Sequence, residues 1–257
     1  MYTKQQILEI AMSQSAIDLN CSAQDFLKEE NRVVRSAANE RARKYLALPF
    51  LCNLVSYGNN IVASVSQPFE GITWDYINRF SSVHCFETPN LHILDDALFK
   101  QGARICFMAE YFLPDPTLLT ELPCPYEIKQ LTPADFRGLY LPQWSNALCE
   151  KRKELDVLAV GAYDGKTLIG LAGCSADCEM MWQIGIDVLP AYRKQGVASA
   201  LTARLALEIL KRDKVPFYCA AWSNIRSVRN AARCGFRPAW VEMTAKPIEF
   251  IDELNRT

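Results

Sequence analysis

The chain has 257 residues, of which 50% are hydrophobic and 22% are charged, and its formal net charge is −1. This balance excludes wholesale disorder and gives no overall basic field, so we expect no nucleic-acid partner. No apolar run approaches the length of a membrane span, and the first residues lack the apolar core of a signal peptide. We therefore expect a cytoplasmic protein without a membrane partner.

The ten cysteines are dispersed along the chain, and no Cys-x-x-Cys motif occurs. Cys174 and Cys178 are the closest pair in sequence, and neither His84 nor His92 is near them. Because zinc sites need clustered thiolate and imidazole ligands, the sequence predicts no metal. Most of the thiols stand in apolar, strand-like runs, which is typical of small buried side chains in a reducing compartment.

The first part of the chain predicts mixed helices and strands. Residues 3–6 fit a capping box at the start of a helix. Two apolar runs, 50–57 and 61–66, flank a Gly-Asn-Asn turn and predict a β-hairpin. Two helices, near 73–80 and 91–101, and a strand at 103–112 are expected after it.

Four prolines between residues 114 and 125 interrupt any regular structure there. The chain is longer than one ordinary domain, so we place a boundary in this stretch. The prediction is an N-terminal α/β accessory region at 1–124 and a second domain at 125–257. The order of strands and helices in the second domain predicts an α/β (α+β) fold with a mixed sheet.

One segment, 188–199, runs from an apolar strand through a basic turn into a long amphipathic helix. The first amides of a helix have no partner within it and lie at the positive end of its dipole, so they bind phosphate well. Arg193 and Lys194 add positive charge at the turn. Gly196 permits close approach of a ligand to the backbone, and the small Ala198 follows it.

Two ordered blocks carry a family resemblance. Arg193-x-x-Gly196-x-Ala198 resembles the acetyl-CoA signature of the GCN5-related N-acetyltransferase (GNAT) superfamily. The later block, 222–236, is similar to a second block of that family. It has Asn224 leaving a strand, a serine three residues on, and a helix closed by Gly-Phe.

The resemblance covers about residues 126–245 and leaves the N-terminal half unassigned. It implies a GNAT-like fold, with a mixed, mostly antiparallel sheet flanked by helices. It also implies transfer of an acetyl group from acetyl-CoA to a primary amine of an unidentified, small acceptor. It also implies that the strand before the basic turn diverges from its neighbour and offers its backbone to the pantetheine arm. The cofactor-binding residues implied in this way are Ile186, Val188, Arg193, Lys194, Gln195, Gly196, Val197, Ala198, Ser199, Asn224 and Ser227. For Asn224, the role of a helix cap stays open as well.

The acid and the base are where the sequence departs from the family pattern. Many relatives have a tyrosine four residues before the closing glycine, where this chain has Ala231. Tyr192, Tyr218 and Cys234 are conceivable donors of a proton to the thiolate, and protonation by solvent is the alternative. The candidate bases are two carboxylates near the diverging strand, Asp187 and Glu179. A base acting through water, or no dedicated base, is the open alternative.

Two functions of different classes follow from these observations. The first is an acetyl-CoA-dependent N-acetyltransferase. The alternative, motivated by the missing tyrosine, is a non-catalytic acyl-CoA-binding sensor or interaction module. The N-terminal half is interpreted as a substrate-selecting lid, a degenerate copy of the transferase fold, or a dimerisation module that would make the protein a homodimer.

Overall fold

The computed structural model describes residues 2–256, which form ten β-strands and seven α-helices joined by short 3-10 turns. The strands are β1 (Arg32–Arg35), β2 (Cys52–Ser56), β3 (Val62–Val65), β4 (Ala103–Pro114), β5 (Glu127–Leu131), β6 (Asp156–Asp164), β7 (Thr167–Ser175), β8 (Met181–Val188), β9 (Val215–Ala220) and β10 (Phe236–Pro247). The helices are α1 (Lys4–Leu19), α2 (Glu70–Ile77), α3 (Thr88–Phe99), α4 (Pro133–Phe136), α5 (Val197–Leu210), α6 (Ile225–Arg233) and α7 (Ile248–Leu254).

The chain forms two compact units, and neither is one continuous segment. The first comprises the residues up to Ile10 together with Phe112–Pro238, and the second comprises Ala11–Tyr111 with the residues from Ala239 onward. Helix α1 and strands β4 and β10 therefore each contribute to both units. The division into 1–124 and 125–257 stays a prediction, because compactness does not test which segments fold independently.

The first unit has a sheet in the order β9-β8-β7-β6-β5. Its pairs are antiparallel except for β8 and β9, which are parallel. One face of this sheet packs against α5, whose Val197, Leu201 and Leu205 join Ile184 and Val188 of β8 in one apolar core. Burial of such side chains, at about 25 cal/mol per Å² of apolar surface, is the main force holding α5 on the sheet.

The other face of the same sheet is covered by the segment between β5 and β6. This segment contains α4 and two 3-10 turns, and it buries Phe136, Trp144 and Leu148 against Leu171 of β7. The first unit therefore has three layers, with α5 on one face of the sheet and this segment on the other.

The second unit has strands in the order β1-β3-β2-β10-β4. The β2–β3 and β2–β10 pairs are antiparallel, and β1 is parallel to β3. Arg43 has a buried side chain and forms ion pairs with two buried carboxylates, Asp18 and Glu242. Removing one member of such a cluster leaves a buried charge without its partner, which strongly destabilises the folded protein.

The predicted fold class is confirmed, since the structure has a large, mostly antiparallel mixed sheet flanked by helices. The predicted hairpin is present as β2 and β3. Strand β1 was not predicted, because its four residues, Arg-Val-Val-Arg, carry no clear alternation. Within residues 2–256, no helix has both the length and the apolar character needed to cross a bilayer, and no three metal-binding side chains form a cluster.

Candidate active site

An opening between β8 and β9 is the main feature of the site. The two strands pair only where residues 181–183 lie against 215–217. On its other side β8 stays paired with β7 as far as Val188. Beyond Gln183, residues of β8 such as Ile186 and Val188 therefore have backbone groups that face the opening and are not paired with β9. These groups can bind an extended ligand.

The turn that follows β8 has an unusual backbone. Lys194 has φ 64° and Gly196 has φ 84°, both in the left-handed region. For lysine this conformation is uncommon, while glycine adopts it without steric cost. Left-handed residues in a tight turn direct nearby backbone N–H groups towards a common concavity, which suits an anion.

Helix α5 begins directly after this turn, with Gly196 as its N-cap. Its first backbone bond runs from the Ala200 N–H to the Gly196 carbonyl, at 3.0 Å. The amides of Val197, Ala198 and Ser199 thus lie outside the helical ladder, at the positive end of the dipole. These three amides, rather than the side chains, are suited to bind a diphosphate.

The side chains of the turn mostly hold the turn itself. The Arg193 guanidinium donates from Nε to the Val188 carbonyl at 3.0 Å, which ties the turn to the end of β8. Gln195 accepts a hydrogen bond from the Tyr126 hydroxyl at 2.7 Å. The Ser199 hydroxyl donates to Asn230 of α6 at 3.0 Å and is buried. Lys194 is exposed and places a positive charge at the mouth of the turn.

Asn224 and Ser227 lie together at the start of α6. The Asn224 side chain accepts the Ser227 N–H at 3.2 Å, which is a helix N-cap. The Ser227 hydroxyl is hydrogen bonded to the Tyr218 hydroxyl of β9 at 2.7 Å. The capping role of Asn224 is therefore present in the structure, while a bond from its amide nitrogen to a cofactor stays a prediction.

These observations fit coenzyme A. A strand edge without a β9 partner leads to a left-handed turn and then to three free helix amides, all between residues 184 and 199. Pantetheine needs peptide-like partners along an extended path, and a diphosphate needs amide donors and positive charge at its end. When bound, acetyl-CoA supplies an acetyl thioester as the electrophile.

Asp187 has a structural role on the sheet face opposite α5. Its carboxylate accepts the Asn146 N–H at 2.8 Å, the Asn146 side-chain amide at 2.6 Å and the Ala147 N–H at 3.0 Å. It therefore fixes the segment between β5 and β6 to β8. A role for Asp187 as a base stays a prediction, and it competes with these three hydrogen bonds for the same oxygens.

Glu179 is exposed in the loop that precedes β8. Asp187 lies six residue steps along the extended strand from Met181, which is about 20 Å at 3.3 Å per step. The two predicted carboxylates therefore lie at opposite ends of β8 and cannot serve one reacting atom together.

The side chains considered as acids are all engaged. The Tyr192 hydroxyl donates to Asp164 at 3.0 Å, and this bond raises the pKa of the phenol. Burial raises the pKa of Tyr218. Burial also raises the pKa of the Cys234 thiol to about 12, and this thiol donates to the Ser199 carbonyl. The side chain at Ala231 offers no acid at all.

The sequence reasoning missed one polar cluster, centred on Asp156 at the start of β6. This buried carboxylate accepts hydrogen bonds from the Ser175 hydroxyl, from the Cys149 N–H at 2.8 Å and from the Tyr140 hydroxyl at 3.1 Å. The signal available in the sequence was a carboxylate opening an otherwise apolar strand. Its partners are distant in sequence, so the cluster could not be assembled without the fold.

The comparisons with known proteins define the class. The family model described as GNAT acetyltransferase matches residues 99–239, which is more than half of the chain. The chain belongs to the GNAT acetyltransferase family, whose general chemistry is acetyl transfer from acetyl-CoA. The predicted family is thus confirmed, and the match begins upstream of the predicted resemblance, within the predicted accessory region. A comparison with curated proteins found no match.

Several solved structures are similar to this chain. A GNAT-family acetyltransferase from Novosphingobium aromaticivorans is 19% identical over 56% of this chain and 66% of its own, with a TM-score of 0.42. An aminoglycoside N-acetyltransferase in complex with CoA is 20% identical over 47% of this chain and 93% of its own, with a TM-score of 0.36. A Drosophila protein is 14% identical over 95% of this chain and 87% of its own, with a TM-score of 0.48. The family assignment rests on the family model.

Proposed function

We propose that the protein transfers the acetyl group of acetyl-CoA to a primary amine of a small acceptor. The observation that carries this proposal is the end of β8–β9 pairing at Gln183, which leaves the rest of β8 without a β9 partner ahead of the left-handed turn and the free amides of α5. A thioester placed along β8 would meet a backbone N–H of that strand, which can stabilise the developing oxyanion. The amine would then attack in a site that holds both reactants.

The residues proposed to bind the cofactor divide by the group they would contact. The backbone of Ile186 and the N–H of Val188 would bind the pantetheine arm, since the Val188 carbonyl already accepts from Arg193. Amides from Val197 to Ser199 would bind the diphosphate, with Lys194 as the nearby positive charge. Arg193 and Gln195 would act mainly by holding the turn. Arg193 donates to the Val188 carbonyl, and Gln195 donates to the Ala191 carbonyl and accepts from the Tyr126 hydroxyl.

The second candidate function is an acyl-CoA sensor without catalysis. The observation in its favour is Ala231, which is fully buried where many relatives have the tyrosine acid. A sensor would keep the turn and the opening and would need no acid or base.

The experiment that separates the two candidates is thiol release from acetyl-CoA with a panel of amines. The panel should include a polyamine, an aminoglycoside, an arylalkylamine, an amino acid and a peptide with a free N-terminus. The transferase predicts release that depends on one class of amine. Calorimetric binding of CoA without amine-dependent release from any member of the panel would support the sensor.

A further inference from the structure

A row of polar residues crosses four strands on the sheet face opposite α5. Asp156 of β6 is the direct partner of Ser175 of β7, and Ser175 is the direct partner of Gln183 of β8. Direct partners on antiparallel strands have side chains on the same face, with Cβ atoms about 5 Å apart. Gln183 in turn donates from Nε2 to the Cys219 sulfur of β9 at 3.1 Å.

This row ends at the point where the cofactor opening begins. Gln183 belongs to the last pair between β8 and β9, and the strand has no β9 partner beyond it. Ser175, Gln183 and Cys219 are all partly exposed, whereas Asp156 is buried. A small molecule at the opening therefore has access to Ser175, and through Ser175 to Asp156.

The rest of the same face is closed to an acceptor. Asn146 and Ala147 lie directly on β8, because a Cβ atom built on Gly185 would overlap the Asn146 carbonyl oxygen. Asp187 holds both residues there. An amine can approach the thioester on this face only from the end of β8 that carries Gln183.

We propose that Ser175 takes the proton from the acceptor amine and passes its own hydroxyl proton to Asp156, which makes this pair the base of the reaction. The inference rests on the proposed acetyl transfer. As the amine nitrogen bonds to the acetyl carbonyl carbon and the carbon–sulfur bond breaks, the amine proton moves to Ser175 Oγ and the Ser175 proton moves to Asp156. The departing thiolate takes a proton from solvent, and Asp156 later returns its proton to solvent.

The environment of Asp156 suits this role. Burial raises the pKa of its carboxyl, while hydrogen bonds from Ser175, the Cys149 amide and Tyr140 and the charge of Arg152 lower it in part. The Cys174 thiol of β7 also lies close enough to interact electrostatically with Asp156. A carboxylate with a raised pKa is a stronger base near neutral pH than an ordinary aspartate.

Two variants separate a proton route from a structural role. Ser175→Ala removes the relay hydroxyl and leaves the Cys149 and Tyr140 contacts of Asp156 in place. Tyr140→Phe is the matched control, because it removes one hydrogen bond from the same carboxylate without touching the relay. We expect Ser175→Ala to lower kcat/KM by about 100-fold or more with CoA affinity unchanged, since general bases contribute roughly 10²–10⁴-fold.

The pH profile of kcat/KM distinguishes the two roles, because its acidic limb would not change if Asp156 were only structural. The Tyr140 bond lowers the pKa of Asp156, so Tyr140→Phe should shift the acidic limb of kcat/KM to higher pH. The ¹³Cγ signal of Asp156, assigned by its loss in Asp156→Asn and titrated without CoA, should shift in the same direction by the same amount.

Three results would overturn the inference. The first is a Ser175→Ala enzyme with parental kcat/KM and an unchanged acidic limb. The second is a Tyr140→Phe variant in which the ¹³Cγ signal of Asp156 shifts while the acidic limb of kcat/KM stays fixed. In both cases the proposed acetyl transfer itself would stand. A parent protein that releases no thiol with any amine would refute the transferase, and the base with it.

Discussion

Gly173 and Gly185 are direct partners across β7 and β8, and both lie under the backbone of Asn146 and Ala147. A Cβ atom on either glycine would overlap a carbonyl oxygen of that segment. The two glycines thus form a flat area on the sheet where another stretch of chain packs directly, and Asp187 holds it there by three hydrogen bonds. The paired glycines and Asp187 together define which part of β8 is covered.

Gly185→Ala should displace this segment, because the methyl group meets backbone that cannot rotate away. We expect faster hydrogen exchange at the Ala147 amide and weaker acceptor binding, seen as a higher KM for the amine. Asp187→Asn should have the same effects in milder form. Gly138→Ala is the control, since no atom lies within 4 Å of a Cβ at that position of the same segment.

The contrary result would be loss of the acidic limb of the pH profile in Asp187→Asn while hydrogen exchange at the Ala147 amide stays as in the parent. That result would make Asp187 the base rather than an anchor.

Gly196→Val should weaken CoA binding by distorting the turn. At φ 84° a β-branched residue is strongly disfavoured, although a Cβ there would find only the Pro123 carbonyl, at 3.9 Å. Gly196→Asn should retain more affinity, because asparagine tolerates this conformation. Calorimetry with CoA is the measurement.

Gly165→Val is the matched control for backbone strain. It has φ 60° in the β6–β7 turn, with open space around it. A comparable loss of CoA affinity in Gly165→Val would show that the effect is general destabilisation and not the turn at α5.

Asn224→Ala should lower stability by about 1 kcal/mol, the usual cost of a lost N-cap. If Asn224 also bonds the cofactor, the apparent KM for acetyl-CoA should rise as well. Asn224→Ser separates the two roles, because serine restores the cap but lacks the amide nitrogen. Parental KM in both variants, with only the melting temperature changed in Asn224→Ala, would leave capping as the whole role.

Removing the candidate thiolate acids should have little effect. Tyr192→Phe, Tyr218→Phe and Cys234→Ala are each expected to keep turnover within a few-fold of the parent, since each group is already hydrogen bonded elsewhere. A true general acid would contribute roughly 10²–10⁴-fold. A hundredfold loss in one variant, with CoA affinity preserved, would identify that residue as the acid.

The predictable part of the site is the part made by backbone. A strand, a Gly-containing turn and a helix are contiguous in sequence, so the amides after Gly196 could be located from local pattern alone. Side-chain roles were less accessible, because Asp187 meets Asn146 and Asp156 meets Ser175 only through strand register and packing. The division into two compact units that are each discontinuous in sequence could not be predicted either. Nothing in the local sequence of residues 103–114 or 236–247 indicates that each of these strands contributes to both units.

The most direct test of the central claim uses acetyl-CoA labelled with ¹³C in the acetyl group and the amine panel described above. Mass spectrometry and NMR of the products should show the label on the nitrogen of one class of amine, at a rate proportional to enzyme concentration. Bound CoA with label recovered only as acetyl-CoA or free acetate, for every amine, would contradict the transferase.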